Sequence, residues 1–412
     1  MIPLENESNI FTQYIKSRPR LVKNSKILQT TYIPDNLPHR KDQIDALVEI
    51  IAPALKGDKP SNVLSIGKTG TGKTAVVTHI GKELKKADPT ESNVCFIYIN
   101  CEVNDTNYGI LYSISNQISD DAVNKIPFTG WSLDKILTAL TEIIDKENKV
   151  FVVVLDEIDR SIQKNGDDIF YYLTTINEVL KESRVTIIGI TNNAKFTDLL
   201  SPKIKSRLGE EKIVFPPYNV DQLKDILYNR AAIAFDEGVL DEDVIPYCAA
   251  LSAQEMGDAR KALVLLRISA EIAERNGDLK VTSAHVHSAR SKIEVDAIVE
   301  VIKTLTLQSK ILLMGIIRNT EMDLSPMTTG DTYTSYKHVA ESIGQSVLTQ
   351  RRITGLIQEL DMLGIIHARV KSNGRTGRTK EIELCIPKDI VNMVKEDDIF
   401  SEYHPPKQTT LM

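Results

Sequence analysis

Four short runs of apolar and β-branched residues punctuate the first half of the chain, at 62–66, 94–100, 150–155 and 184–191, each followed by a longer helix-compatible stretch. Alternation of this kind predicts a parallel sheet with helices on both faces. It stops at Pro216-Pro217, and 220–303 carries helical periodicity with no strand candidate, which predicts a separate all-helical unit. From 304 onward two or three helices precede a hairpin. Residues 367–371 and 381–386 alternate strictly, with Ala368, Val370, Ile382, Leu384 and Ile386 on one face and the turn formers Asn373-Gly374 and Thr376-Gly377 between them. Just upstream, Ile353, Leu356, Ile357, Leu360 and Leu363 recur at helical spacing and stop at Gly364, so this stripe is predicted core. The ends read differently. Polar residues 1–30, where Lys16, Arg18, Arg20, Lys23 and Lys26 follow one another without an acid, predict a solvated basic arm in preference to a phosphate contact, and 391–412, with Pro405-Pro406, predict a loose tail.

Composition narrows what this layout can do. A chain of 412 residues, 42% hydrophobic and 26% charged, suffices for two or three domains. Its net charge of −6 excludes a uniformly basic nucleic-acid coat, so any nucleic-acid surface is local. No apolar run approaches the ~20 residues of a membrane span. The acidic start, Met1 to Glu7, has no apolar stretch behind it and does not read as a secretory leader, so the expectation is a cytoplasmic protein without a membrane partner. Cys95, Cys101, Cys248 and Cys385 lack C-x-x-C spacing and are predicted packing residues. His285 and His287 would lie about 200° apart on a helix, cannot share a ligand, and are predicted to be surface residues.

Candidate chemistry is concentrated in one octapeptide. Gly67-Lys68-Thr69-Gly70-Thr71-Gly72-Lys73-Thr74 fits G-x-x-x-x-G-K-[ST] and stands between a predicted strand and a predicted helix, the context the motif needs. In such a loop, backbone N–H groups converge on the β-phosphate and the helix N-terminus favours the anion. Lys73 would neutralise the β- and γ-phosphates, and Thr74 would hold Mg²⁺. The strand at 150–155 then delivers Asp156-Glu157, 83 positions after Lys73. Asp156 falls near the metal, and Glu157 can orient or deprotonate an attacking water. This adjacent glutamate favours an ATPase over a small GTPase.

A second chemistry lies near the carboxyl end. Opposite the apolar stripe, Arg351, Gly355 and Gln358 face outward with Gln350 and Thr354 on the flank, hydrogen-bonding side chains around a bare glycine that suit a DNA groove. In the hairpin, Arg369, Lys371, Arg375, Arg378 and Lys380 occur with no acid from 367 to 380, a local charge of +5. Arg375 and Arg378, beside glycines at the tip, suit a minor groove or phosphates. Helices followed by a basic two-stranded flap predict a winged helix.

These residues resemble the AAA+ ATPases. The order of units resembles the archaeal replication initiators, relatives of the eukaryotic origin recognition complex, through Tyr32-Ile33-Pro34, Pro38-His39-Arg40, Pro127-Phe128-Thr129-Gly130-Trp131, Phe215-Pro216-Pro217-Tyr218, Gly257-Asp258-Ala259-Arg260 and Gly374-Arg375-Thr376-Gly377-Arg378. The resemblance implies an α/β AAA+ parallel-sheet domain at 31–219, an all-helical lid at 220–300 and a winged-helix domain at 301–390. It implies Asn192 as a polar sensor for the γ-phosphate and the attacking water, Arg260 as a second sensor, and Arg207 as an arginine finger for a neighbouring subunit's nucleotide. For Arg207 an intramolecular ion pair stays open, because a finger acts only in an oligomer; many archaeal members carry a small residue there, so the family role does not carry over directly. Arg260 has independent support. Asp258 is a good N-cap, which sets Arg260 in the first helical turn, where the helix dipole disfavours a cation unless an anion is close, either bound phosphate or a carboxylate of the first domain. Nucleotide contacts are further implied at Tyr32, Ile33, His39, Arg40, Tyr218 and Arg230, and DNA contacts at Lys125 and Thr129. The implied activity is ATP-dependent binding of double-stranded origin DNA and recruitment or loading of the MCM helicase, with ATP/ADP and Mg²⁺ as cofactors, slow hydrolysis as a switch and paralogous initiator subunits as partners. A transcriptional regulator that kept the same fold is the alternative; a clamp loader is disfavoured by the winged helix.

Overall fold

The four strands predicted in the first half of the chain pair into one parallel sheet. The computed structural model describes residues 18–118, 126–372 and 378–401, and the chain divides into two units, Met1–Val286 and His287–Met412. In the first unit β1 (Val63–Ile66), β2 (Val94–Asn100), β3 (Val150–Asp156), β4 (Arg184–Thr191) and β5 (Glu211–Val214) lie in the spatial order β2-β3-β4-β1-β5. Pairing of Ile66 with Thr191 and of Asp156 with Ile190 sets the ends of β1 and β3 on either side of the end of β4. Both faces are covered. On one, α1 (Lys41–Ile51) and α2 (Lys73–Ala87) bring Leu47, Val76 and Ile80 against Val63, Val152 and Ile188. On the other, α3 (Asn107–Ile118), α4 (Leu133–Lys146), α5 (Ile158–Asn165), α6 (Asp168–Thr175) and α7 (Pro202–Leu208) bring Ile114, Leu140, Ile158, Phe170 and Ile204 against Ile97, Phe151 and Ile187. Two covered faces explain why β3 is buried at every position and reads as a continuous apolar run. The fifth strand escaped the pattern for the converse reason: β5 is an edge, and only Ile213 of its four residues is buried.

The helical region comprises α8 (Val220–Ala234), α9 (Val244–Gln254), α10 (Ala259–Asn276) and the start of α11 (Ser283–Thr304), with the boundary between the two units falling inside α11. A capping box of Asn219 and Gln222 opens α8, and Asp258 caps α10 by accepting from the backbone N–H of Arg260 and Lys261. Two expectations are corrected here. Residues 18–30 are not a free arm: Leu21, Val22, Ile27 and Leu28 are buried. Glu274 Oε1 on α10 accepts from Leu21 N at 2.7 Å and Val22 N at 2.9 Å, and Lys23 pairs with Asp236 at 3.1 Å. His285, expected at the surface, is 8% exposed, its ring held between Thr282 and Asp278.

In the second unit α12 (Leu307–Glu321), β6 (Met327–Thr328), α13 (Thr329–Ser342), α14 (Gln350–Met362), β7 (Ile366–Ser372), β8 (Arg378–Leu384) and α15 (Lys388–Lys395) follow in order, and the sheet β6-β8-β7 is antiparallel. Ile353, Leu356, Ile357 and Leu360 are buried as the stripe predicts, whereas Leu363 is 39% exposed because α14 has already ended. Val370 shares a face with the buried Ile382 yet is 66% exposed, since the flap runs past the helices that cover its base. The two-residue β6 is too short for an alternation to reveal. Residues 391–401 are not tail: Val394 and Phe400 are buried, and Lys310 Nζ pairs with Asp397 Oδ2 at 2.7 Å. Cys95, Cys101 and Cys248 are buried, but Cys385 is exposed and does not pack. Among the described residues no helix is long and apolar enough to cross a membrane.

Candidate functional site

The carboxyl ends of β1, β3 and β4 bring Lys73, Thr74, Asp156 and Asn192 together. After β1 the chain enters the loop Gly67 to Gly72, and α2 starts at Lys73. Gly70 (φ 73°) and Gly72 (φ 88°) are left-handed, and each faces a close neighbour: a Cβ on Gly70 would fall 1.7 Å from Asp258 Oδ1, and one on Gly72 would fall 2.7 Å from the Tyr218 hydroxyl. Thr71 is buried and donates to Lys68 O at 2.8 Å, while Lys68 and Thr69 are exposed. Lys73 is 4% exposed; its ammonium donates to Gly67 O (2.6 Å), Lys68 O (2.8 Å) and Asn192 Oδ1 (2.7 Å). Burial lowers its pKa to about 8 against the attraction of Asp156, and the nearby charge of Arg260 lowers it further.

That pKa has a measurable consequence. An anion bound against Lys73 raises its pKa above the value of about 8 in the free protein, so binding takes up a proton over the interval between the two. Polyphosphate affinity is then constant below about pH 8 and falls by up to about tenfold per pH unit above it. Calorimetric titration with ADP from about pH 7 to about pH 9.5 checks this; an affinity flat across that range contradicts it.

The acidic side is equally specific. Asp156 is 4% exposed, and its Oδ2 accepts from Thr74 Oγ at 2.7 Å and from the Tyr98 hydroxyl at 2.7 Å, while Oδ1 accepts from Glu157 N at 2.9 Å. Burial and the adjacent Asp156 push the Tyr98 phenol up, so it stays a donor. Glu157 sits in the left-handed region (φ 56°) with a partly exposed side chain. Arg160 lies 3.5 Å from Glu157 Oε2 and 2.8 Å from Glu102 Oε1. Partial burial first, and the Glu102 carboxylate next, raise the Glu157 pKa, which favours a group able to take a proton. Tyr98, Glu102 and Arg160 were missed by sequence reasoning. Only the half-buried Tyr98, on the same alternating face of β2 as Asn100, carried a signal.

The lid closes directly on the phosphate loop. Ala259 N donates to Gly70 O at 3.2 Å, and Asp258 accepts from Arg260 N at 2.8 Å, so Arg260 stands in the first turn of α10, as the capping argument requires. Arg260, Gly70, Gly72, Thr74, Tyr218, Tyr32 and Ile33 line a cavity of about 610 Å³. Arg230, also on its wall, lies over the Tyr32 ring at 4.7 Å and donates to Tyr32 O at 3.1 Å. His39 and Arg40 do not line this cavity. His39 turns to Asp225 (2.9 Å); Arg40 supports the loop from behind, donating to Thr71 O (2.8 Å) and Pro216 O (2.6 Å) with its guanidinium 3.8 Å from the Tyr218 ring centre. Arg207 makes the intramolecular pair left open by its sequence, 2.7 Å from Glu178 Oε1.

In the second unit, Arg351, Thr354, Gly355 and Gln358 are exposed on α14, opposite its buried stripe. On the flap Arg369 and Lys371 are exposed, and Lys380 is half-buried opposite Val370. Glu381 stands across from Arg369 and pairs with Lys371, which offsets part of the charge expected there. Arg375 and Lys125 lie outside the described residues, as does the side chain of Arg378. Thr129 is exposed between Phe128 and Gly130.

A phosphate loop on a five-stranded parallel sheet, an acidic pair at the end of β3, a polar residue at the end of β4 and a helical lid seated on the loop define an AAA+ nucleoside-triphosphatase fold. Family models agree over three segments: an AAA ATPase domain at 36–188, a Cdc6 AAA+ ATPase-type lid domain at 224–291 and a CDC6 C-terminal winged helix domain at 300–394. The chain is 50% identical over 390 residues to an ORC1-type DNA replication protein of Pyrococcus abyssi, covering 94% of this chain and 93% of that one. It is 46% identical over 401 residues to ORC1-type DNA replication protein 1 of Methanosarcina mazei, covering 97% and 95%. The solved structure of the Aeropyrum pernix ORC1 protein in complex with DNA matches with a TM-score of 0.75 at 42% identity, over 92% of this chain and 97% of that one. The chain belongs to the ORC1-type family of archaeal DNA replication proteins.

Proposed function

We propose that this protein is an ATP-dependent replication initiator that binds double-stranded origin DNA and recruits or loads the MCM helicase. The observation that carries the nucleotide half is the seat of α10 on the phosphate loop, with Ala259 N on Gly70 O and Arg260 close enough to Lys73 to lower its pKa. A triphosphate in this loop would be gripped by Lys73 from the sheet domain and Arg260 from the lid. Loss of its γ-phosphate would remove the shared anion and free the lid, which makes the nucleotide a switch. Thr74 Oγ and Asp156 Oδ2, hard oxygen donors 2.7 Å apart, suit Mg²⁺, which when bound would neutralise phosphate charge. Glu157 takes the proton of the attacking water, and the Asn192 amide orients it. Arg207 is paired with Glu178 and supplies no charge to its own site, in keeping with slow hydrolysis; paralogous subunits remain the proposed partners for it.

For DNA, α14 offers Arg351, Thr354 and Gln358 to a groove, and the flap offers Arg369, Lys371, Arg375, Arg378 and Lys380 to phosphates. The ORC1 relative solved in complex with DNA supports this reading. Replacing Arg375 and Arg378 together by alanine tests it. Two lost phosphate contacts reduce the log-log salt slope of duplex binding by about 1.8 and weaken affinity about 60-fold at about 0.1 M salt. An unchanged slope would remove the flap from the interface.

A further inference from the structure

We propose that Tyr98 is a positioning residue for the Asp156 carboxylate, fixing the orientation in which that group supports Mg²⁺-dependent nucleotide binding. The inference rests on the nucleotide-site reading above and deepens it. Tyr98 lies two residues before the end of β2, paired with Val154 on β3, so its side chain leaves the sheet next to the strand that ends in Asp156. Its hydroxyl meets Asp156 Oδ2 at 2.7 Å, the same oxygen that accepts from Thr74 Oγ at 2.7 Å, and Oδ1 is held by Glu157 N at 2.9 Å. A phenol from the sheet on Oδ2 and the backbone N–H of the residue that follows β3 on Oδ1 define both the plane and the rotation of the carboxylate.

The two donors on Oδ2 differ in kind. Thr74 lies in the first turn of α2, directly after the nucleotide loop, whose ligands its hydroxyl would also serve. Tyr98 belongs to the sheet and does not depend on the loop. Its strand is held in turn by Gln117, which accepts from Tyr98 N at 3.4 Å and donates to Tyr98 O at 3.1 Å. Without the phenol, a carboxylate that is 4% exposed keeps no sheet-borne donor on that oxygen and can rotate about its side chain.

Tyr98→Phe keeps the ring and removes only the hydroxyl. ATP is titrated calorimetrically into the full chain in two arms, with Mg²⁺ and with EDTA. In the Mg²⁺ arm the variant binds about tenfold more weakly than wild type, and in the EDTA arm within about twofold of it. The Mg²⁺ concentration that half-saturates the enhancement rises by a similar factor. Equal weakening in both arms, the mark of general packing, overturns the assignment, and so does an unchanged Mg²⁺ arm. Wild-type protein that binds no ATP in either arm overturns the nucleotide-site reading and the assignment with it, a failure distinguished by appearing without any substitution.

Discussion

Lys73→Ala weakens ATP binding about 100-fold and takes hydrolysis to background. The expectation follows from how the ammonium is held. It is 4% exposed and bonded to two loop carbonyls and to Asn192, so its partners are set before any ligand arrives and its position costs little to maintain in the complex. Alanine removes the buried cation that faces the phosphates and also takes a donor from Gly67 O and the Asn192 amide, while Lys68 O keeps Thr71 Oγ1. A charged hydrogen bond from Lys73 to phosphate in a desolvated site is worth about 1.5–3 kcal/mol, and the upper part of that range is the hundredfold. Equilibrium binding of a fluorescent ATP analogue, read beside a steady-state phosphate-release assay, checks both parts. Wild-type affinity in the variant would mean that nucleotide binds elsewhere.

Glu157→Gln separates binding from chemistry. Hydrolysis falls about 100-fold while ATP affinity stays within about twofold, because a general base contributes about 10² or more and glutamine cannot take the proton. The backbone N–H of residue 157, which holds Asp156 Oδ1 at 2.9 Å, survives the change. Single-turnover hydrolysis with saturating ATP measures the first quantity, and filter binding the second. Hydrolysis at the wild-type rate would return the role of base to another group.

Local chemistry made most of the nucleotide site legible. The loop Gly67 to Thr74 is readable because a phosphate cradle needs small residues at positions where the backbone turns left-handed, and Gly70 and Gly72 do so. Arg260 was legible through its position, since a cation in the first turn behind the Asp258 cap conflicts with the helix dipole. What escaped depends on residues remote in sequence. The segment 18–30 looked like an arm because its partner, Glu274, lies some 250 positions away. Strand β5 has one buried residue, so no alternation announces it. Phe400, close to a Pro-Pro pair, gave no sign that it completes the core of the second unit. Tyr98 was passed over because the carboxylate it meets, Asp156 on β3, lies 58 positions away. Arg40 belongs to the same group: its guanidinium holds the loop through Thr71 O, 31 positions away.

The most direct test of the account is the genomic occupancy of the full chain in the presence of ATP, mapped together with that of the MCM helicase. Protection concentrated at a few replication start sites, with helicase alongside and lost on Lys73→Ala, is the predicted result. Protection spread over promoters, with no helicase beside it and no response to ATP, would contradict the reading of this protein as an initiator.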